Sequence, residues 1–235
     1  MDIRILELIE GAKRARGLTV IIDVFRAFSL ECYLFARGAR SILPVGDISA
    51  AYALKREDSS RVLIGERHGR RCEGCDFGNS PSQTAGFDFT GRTVVHTTSA
   101  GTQGIANALN ADEIITGSLV NARAIAAYIR ARAPREVSLV AMGTEGVRSA
   151  DEDVLCAEYI RSLLTGAPLD IGARAAALRT GAGCKFFNPD TQEVFPEADF
   201  AMCVDVDRFP FVVRIERGAD GRAVARRVDV DGAAL

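Results

Sequence analysis

The chain has 235 residues, 48% of them hydrophobic and 26% charged, which is ordinary globular composition with length enough for a sizeable core. A formal net charge of −2 sets up no global basic field, so nucleic acid and anionic membrane surfaces are not expected partners. No run of about 18 apolar residues points to a transmembrane helix. The opening MDIRILELIEGAKRARG has early acids and no apolar segment ending in small residues, unlike a secretory signal. The expectation is a cytoplasmic protein forming a single α/β domain over 1–235, with strands at about 198–231 as a C-terminal appendix.

In chain order, the spacing of Ile5, Leu8, Ile9 and Ala12 predicts an amphipathic helix. The run LTVIID at 18–23 reads as a buried parallel-type strand that ends in Asp23. Helical spacing follows over 26–38, with Gly38 as C-cap. A short strand is predicted at 41–45, and Asp47 caps a helix to about 56. A third strand, 61–64, leads into a long polar loop, with a helical turn after Pro81. Strands at 92–96, 112–116 and 137–142 alternate with helices at about 103–109, 120–133 and from Asp151 onward. Strand, polar turn and helix recur at least five times, which predicts a largely parallel sheet covered by helices on both faces. Beyond that, 170–180 reads as helix and 181–196 as irregular. Segments 200–207, 211–216 and 223–230 read as strands, with a turn at 218–221.

The loop 65–81, GERHGRRCEGCDFGNSP, mixes carboxylates, arginines, a histidine and glycines in a way no packed core tolerates. The plain reading is a solvated loop; the sharper one is a site for an anion and a hard cation. Its Cys72 and Cys75 form the only close pair among six cysteines. A structural zinc site needs four ligands, so two free thiols are the simpler reading, with zinc or redox work as the alternative.

Polar clusters stand at several strand ends, where open α/β sheets place their sites. Before a helix, TTSAGT (Thr97, Thr98, Ser99, Ala100, Gly101, Thr102) offers hydroxyls, a close-approach glycine and free N–H groups. It suits an anion seat, or else an N-cap with extra hydroxyls. Asp23, Glu66, Asp76, Glu152 and Asp153 are the candidate acids, and hard-oxygen ligands without imidazole suit Mg²⁺. Glu152 and Asp153 also suit the first turn of a helix for dipole reasons alone. Arg26, Arg67, Arg70 and Arg71 are candidate clamps for carboxylate, sulfonate or phosphate, with Arg26 best placed. His68 is a candidate general acid.

Five blocks in order, VIIDVFRAFS, GER…EG-x-DFGNSP, TTSAGT, ITGSLVNA and EDVLCAEYI, resemble the 2-phosphosulfolactate phosphatases of the ComB family from about residue 20 to 211. The resemblance implies a three-layer α/β/α sandwich. It also implies a Mg²⁺-dependent phosphatase acting on a small 2-phospho acid, with 2-phosphosulfolactate to sulfolactate, toward coenzyme M, as the type reaction. Carried over, it points to Asp23, Glu66, Asp76 and Asp153 for catalysis, and to Asp23, Glu66, Asp76 and Glu152 for the metal. For substrate it points to Arg26, Asn79, Ser80, Thr97, Thr98, Ser99, Gly101, Thr102, Ser118 and Asn121. The chain departs from the family pattern at His68, at Cys75, and at Ala100, where an asparagine is expected. A non-catalytic sensor of phosphorylated or sulfonated acids is the alternative. A homodimer is the default assembly.

Overall fold

The computed structural model describes residues 1–218 and 220–231; position 219 of the turn expected at 218–221, and 232–235 of the expected domain, lie outside the described residues. At the N-terminus the expected single helix is two elements, strand β1 (Asp2–Glu7) and helix α1 (Leu8–Arg14). The apolar period had run through both, and Leu8, at φ 66°, stands at their joint.

The next elements follow the predicted alternation. They are β2 (Gly17–Ile22), α2 (Ala27–Ala36), β3 (Ser41–Pro44), α3 (Ile48–Glu57), β4 (Val62–Arg67) and the two-residue β5 (Arg70–Arg71). Asp47 caps α3 by accepting the Ala50 N–H at 2.9 Å. The segment after Pro81 is a run of turns. Then come β6 (Thr93–Thr97), α4 (Gly101–Asn107), β7 (Ala111–Gly117), α5 (Ala122–Arg132), β8 (Glu136–Ala141) and α6 (Asp151–Thr165). The tail holds α7 (Ile171–Ala177), 3-10 turns, α8 (Glu197–Cys203), β9 (Phe211–Arg217) and β10 (Ala223–Asp229). The strand expected at 200–207 is therefore the end of a helix, to Cys203, followed by a turn. Pro196 precedes the helix, Glu197 and Asp199 sit in its first turn, and its apolar residues Phe200 and Cys203 recur at helical spacing.

Among the described residues ten strands form one sheet in the order β1-β8-β2-β7-β9-β10-β3-β6-β4-β5. Helices cover both faces, as in a three-layer α/β/α sandwich. Alternate residues of β2 show it: Val20 and Ile22 pack with α5 and α6, whereas Ile21 packs with α1 and α4. On β4, Val62 and Ile64 pack with α2, and Leu63 packs with α3.

The C-terminal hairpin is not an appendix. β9 and β10 lie in the middle of the sheet and join a parallel block β1-β8-β2-β7 to a second parallel block β3-β6-β4. The three pairings that cross this seam are antiparallel, so along the ladder the two blocks run in opposite senses. In a flat sheet their carboxyl ends would lie on opposite rims. Twist, roughly 20–25° per strand, reorients the two blocks, and the segment after β6 crosses to β2, where Ala100 and Ile105 pack with Ile21. They do meet: Asp23, just after β2, accepts the N–H of Gly101, just after β6, at 2.9 Å.

Candidate active site

Four carboxylates from three chain segments converge where the two blocks meet. Asp23 Oδ1 accepts the Ala27 N–H at 3.2 Å and Oδ2 the Gly101 N–H at 2.9 Å. Glu66, near the end of β4, accepts the N–H groups of Ser99 and Gly69, each at 2.7 Å. Asp153, on the first turn of α6, ties the β2 end to the β8 end by accepting from Val24 at 2.7 Å and Gly143 at 2.8 Å. Glu152 beside it is buried, and its Oε2 finds no hydrogen-bond partner. With Ala100, Thr144, Glu145, Arg148, Lys185 and Phe195 among the other lining residues, they enclose a cleft of about 380 Å³.

Burial sets the electrostatics. It pushes Asp23 up to about 6; the Ala27 and Gly101 N–H groups oppose the rise, and the charges of Glu66 and Glu152 add to it. Burial also raises Asp153 well above the ordinary carboxylate range, with the Asp23 and Glu152 charges adding to it. Glu152 rises for the same first reason, and the Lys185 charge opposes it. A crowd of buried carboxylates held apart by backbone N–H groups is costly unless cations enter. The cleft supplies some. Lys185 lies 5.4 Å from the Phe195 ring centroid and 5.7 Å from that of Phe25. His68 meets Glu145 at 2.7 Å across the mouth, and that hydrogen bond holds its pKa up.

A hard divalent cation fits the donor set. Every candidate ligand is carboxylate oxygen, and Glu152 Oε2 is an orphaned buried acceptor. Among the described residues no three His, Cys, Asp or Glu side chains form a cage by themselves. Mg²⁺ asks for less, since one or two carboxylates usually suffice alongside water and substrate phosphate. Asp23, Glu66 and Glu152 are the side chains that would hold it.

Local backbone demands explain several residues. Gly101 brings the start of α4 against Asp23: a Cβ there would stand 2.9 Å from both Asp23 Oδ2 and Phe28 Cζ. Gly69, at φ +77°, turns the β4–β5 hairpin where a Cβ would meet Phe195 at 2.5 Å.

Other expected site residues stand elsewhere or do structural work. Asp76 Oδ2 takes Lys55 at 3.0 Å and the Leu63 N–H at 2.8 Å, which fastens the loop to β4 outside the acid cleft. Thr97 Oγ1 accepts from Arg67, and Thr98 and Thr102 bond each other's backbone N–H groups across the turn. Ser118 and Asn121 form a capping box at the 3-10 turn before α5. Ser80 donates to Asp199 Oδ1 at 3.0 Å. Ser99 and Asn79 do line the cleft, each with a side-chain oxygen left unpartnered. Arg26 is spent inside the protein: it pairs with Asp199 at 2.8 Å, both buried, and bonds the carbonyls of Val194 at 2.8 Å and Gly69 at 3.1 Å.

Arg148, Lys185 and Asp199 went unrecognised in the sequence. Lys185 had a signal: it is one of only three lysines among 29 basic residues, flanked by Cys184 and Phe186 in an irregular tract. Asp199 had none, because its partners lie up to 173 positions away.

An acid-lined, cation-fringed cleft at the meeting of strand ends, inside an α/β/α sandwich, defines an enzyme of the kind that handles small anionic esters. Comparison with known proteins makes the class specific. A profile for 2-phosphosulpholactate phosphatase matches residues 3–218. A probable 2-phosphosulfolactate phosphatase of Bacillus subtilis is 30% identical over 213 residues, covering 89% of this chain and 91% of the relative. Similarly named proteins of Caldicellulosiruptor saccharolyticus and Carboxydothermus hydrogenoformans are 35% and 38% identical, over 80% and 70% of this chain and 84% and 68% of their own. The chain belongs to the 2-phosphosulfolactate phosphatase family, a family of phosphoric monoester hydrolases. No helix among the described residues is long and apolar enough to cross a membrane.

Proposed function

We propose that the chain is a Mg²⁺-dependent phosphatase that converts a small 2-phospho acid, with 2-phosphosulfolactate as type substrate, to the hydroxy acid and phosphate. The observation that carries this reading is the convergence of Asp23, Glu66, Glu152 and Asp153 on one cleft that also holds Lys185. In the reaction the ester P–O bond breaks, water adds hydroxide to phosphorus, and a proton reaches the leaving alkoxide. Asp23, central in the cleft, is assigned to accept the proton of the attacking water. Glu66 and Asp153 hold the strand-end amides in place around it. Lys185 and Arg148 draw the substrate's anionic groups into the cleft. Bound Mg²⁺ would neutralise charge growing on the phosphoryl oxygens. A cytoplasmic homodimer and a place on the route to coenzyme M belong to the same proposal.

The test is phosphate release from 2-phosphosulfolactate and a panel of small phospho acids, with Mg²⁺ and with EDTA. Metal-dependent release from one of them is expected. Saturable binding by calorimetry without any release would instead favour a binding protein that has kept the cleft and lost the chemistry.

A further inference from the structure

Beside the acid cleft lies a second chamber of about 520 Å³, and the two share Arg26, Gly69 and Asn79 in their walls. Its character is different. Of the four arginines at the start of α2 and on the β4–β5 hairpin, two are consumed by protein acceptors. Arg26 is held by Asp199, Val194 and Gly69. Arg67 is held by the carbonyls of Glu66 and Gly46 and by Thr97. Arg70 and Arg71 are exposed, line the chamber, and have no salt bridge or side-chain hydrogen bond among the described residues. Of the chamber's two acids, Asp76 is already engaged by Lys55 and the Leu63 N–H, which leaves Glu193.

A second observation points to a ligand. Asn79 is only 6% exposed, yet its Oδ1 has no partner. A buried amide left unsatisfied costs free energy comparable to a lost hydrogen bond, so such a group in a cavity wall asks for an incoming partner. The hairpin register places the cations near the chemistry. Arg71 is the cross-strand partner of Glu66, whose carboxylate lies in the acid cleft. Directly opposed residues of an antiparallel pair project from the same face. Gly78 makes room for the Arg71 stem, since a Cβ there would come within 3.2 Å of Arg71 Cβ.

We propose that this chamber is the acid-group subsite of the enzyme: Arg70 and Arg71 receive the carboxylate or sulfonate of the substrate while its phosphate sits in the acid cleft, and Asn79 bonds the segment between them. The inference rests on the phosphatase reading and adds to it. The unpaired arginines of the β4–β5 hairpin select phospho acids over phosphoesters of neutral alcohols. Arg26, which looked best placed for that task, is instead a buried strut.

The experiment compares the parent enzyme with Arg70→Gln, Arg71→Gln and Arg71→Lys. Two substrates are used, 2-phosphosulfolactate and 4-nitrophenyl phosphate, which has no second acid group. Loss of a charge-assisted contact is expected to raise KM for 2-phosphosulfolactate about 10-fold or more, with kcat little moved. The loss in kcat/KM on 2-phosphosulfolactate should exceed that on 4-nitrophenyl phosphate by about tenfold, and Arg71→Lys should recover part of it. Equal losses on the two substrates, or none on either, would overturn the subsite. Should the parent release no phosphate from any substrate, the phosphatase reading fails on its own. The subsite is then decided by calorimetric binding of sulfolactate. Binding that weakens about 10-fold in the glutamine variants upholds it, whereas unchanged binding, or no binding to the parent, overturns it.

Discussion

Asp23→Asn should make the metal-free protein more stable at neutral pH while removing its activity. Asp23 has a folded-state pKa of about 6 against an ordinary 3.8, with burial as the first cause. The folded state therefore binds more protons than the unfolded state between those values, and this group's contribution to stability is lost as pH rises from about 4 through 6. At about 1.36 kcal/mol per pKa unit, ionising Asp23 in the folded protein costs about 3 kcal/mol above pH 7. The asparagine removes that cost. It also turns an NH₂ toward one of two backbone donors, Ala27 or Gly101, which gives back about 1–2 kcal/mol. The net gain is about 1–2 kcal/mol at pH 7.5, or several degrees in Tm for a chain of this length. Urea unfolding of both proteins in EDTA, from pH 4 to 8, measures it. The difference between variant and parent should grow across pH 4–6 and then level off. A pH-independent difference would refute the argument that Asp23 is ionised at a cost in the folded state.

Other substitutions probe the supports of the site. Gly101→Ala drives a Cβ to 2.9 Å from Asp23 Oδ2 and Phe28 and should cost about 1–3 kcal/mol by thermal unfolding, with a sharp fall in kcat. Asp199→Ala strands the buried Arg26 guanidinium and should lower stability by about 3–5 kcal/mol, which calorimetry would show as a Tm drop on the order of 10 °C. Lys185→Met keeps the aromatic packing and removes the cation, so steady-state kinetics should show a KM for 2-phosphosulfolactate raised about 10-fold or more.

What could be read from the chain depended on how local each signal was. The run ahead of Asp23 and the helix cap at Asp47 are short-range patterns, and both elements stand where the residues placed them. Asp23, Glu66, Glu152 and Asp153 were all among the candidate acids because each follows a strand or opens a helix. The same helix-start position made Glu152 and Asp153 read equally well as dipole partners, and only burial separates the two roles. Asp76 was harder to place, because a carboxylate in a polar loop looks alike whether it faces a cleft or fastens the loop to Leu63 and Lys55. The central place of β9 and β10 was illegible for another reason. Their neighbours, β7 and β3, lie about 100 and 180 positions earlier, and no local period encodes such a pairing. The route of convergence was hidden for the same reason, since it depends on the segment after β6 crossing to β2.

The most direct test of the account is the initial rate of phosphate release from 2-phosphosulfolactate, with saturating Mg²⁺, for the parent, Asp23→Asn and Glu152→Gln side by side. Turnover by the parent is expected, with a loss of about 10²-fold or more in kcat for both variants, because each removes a carboxylate from the reacting cleft. Near-parental rates in both variants would contradict it and place the chemistry elsewhere.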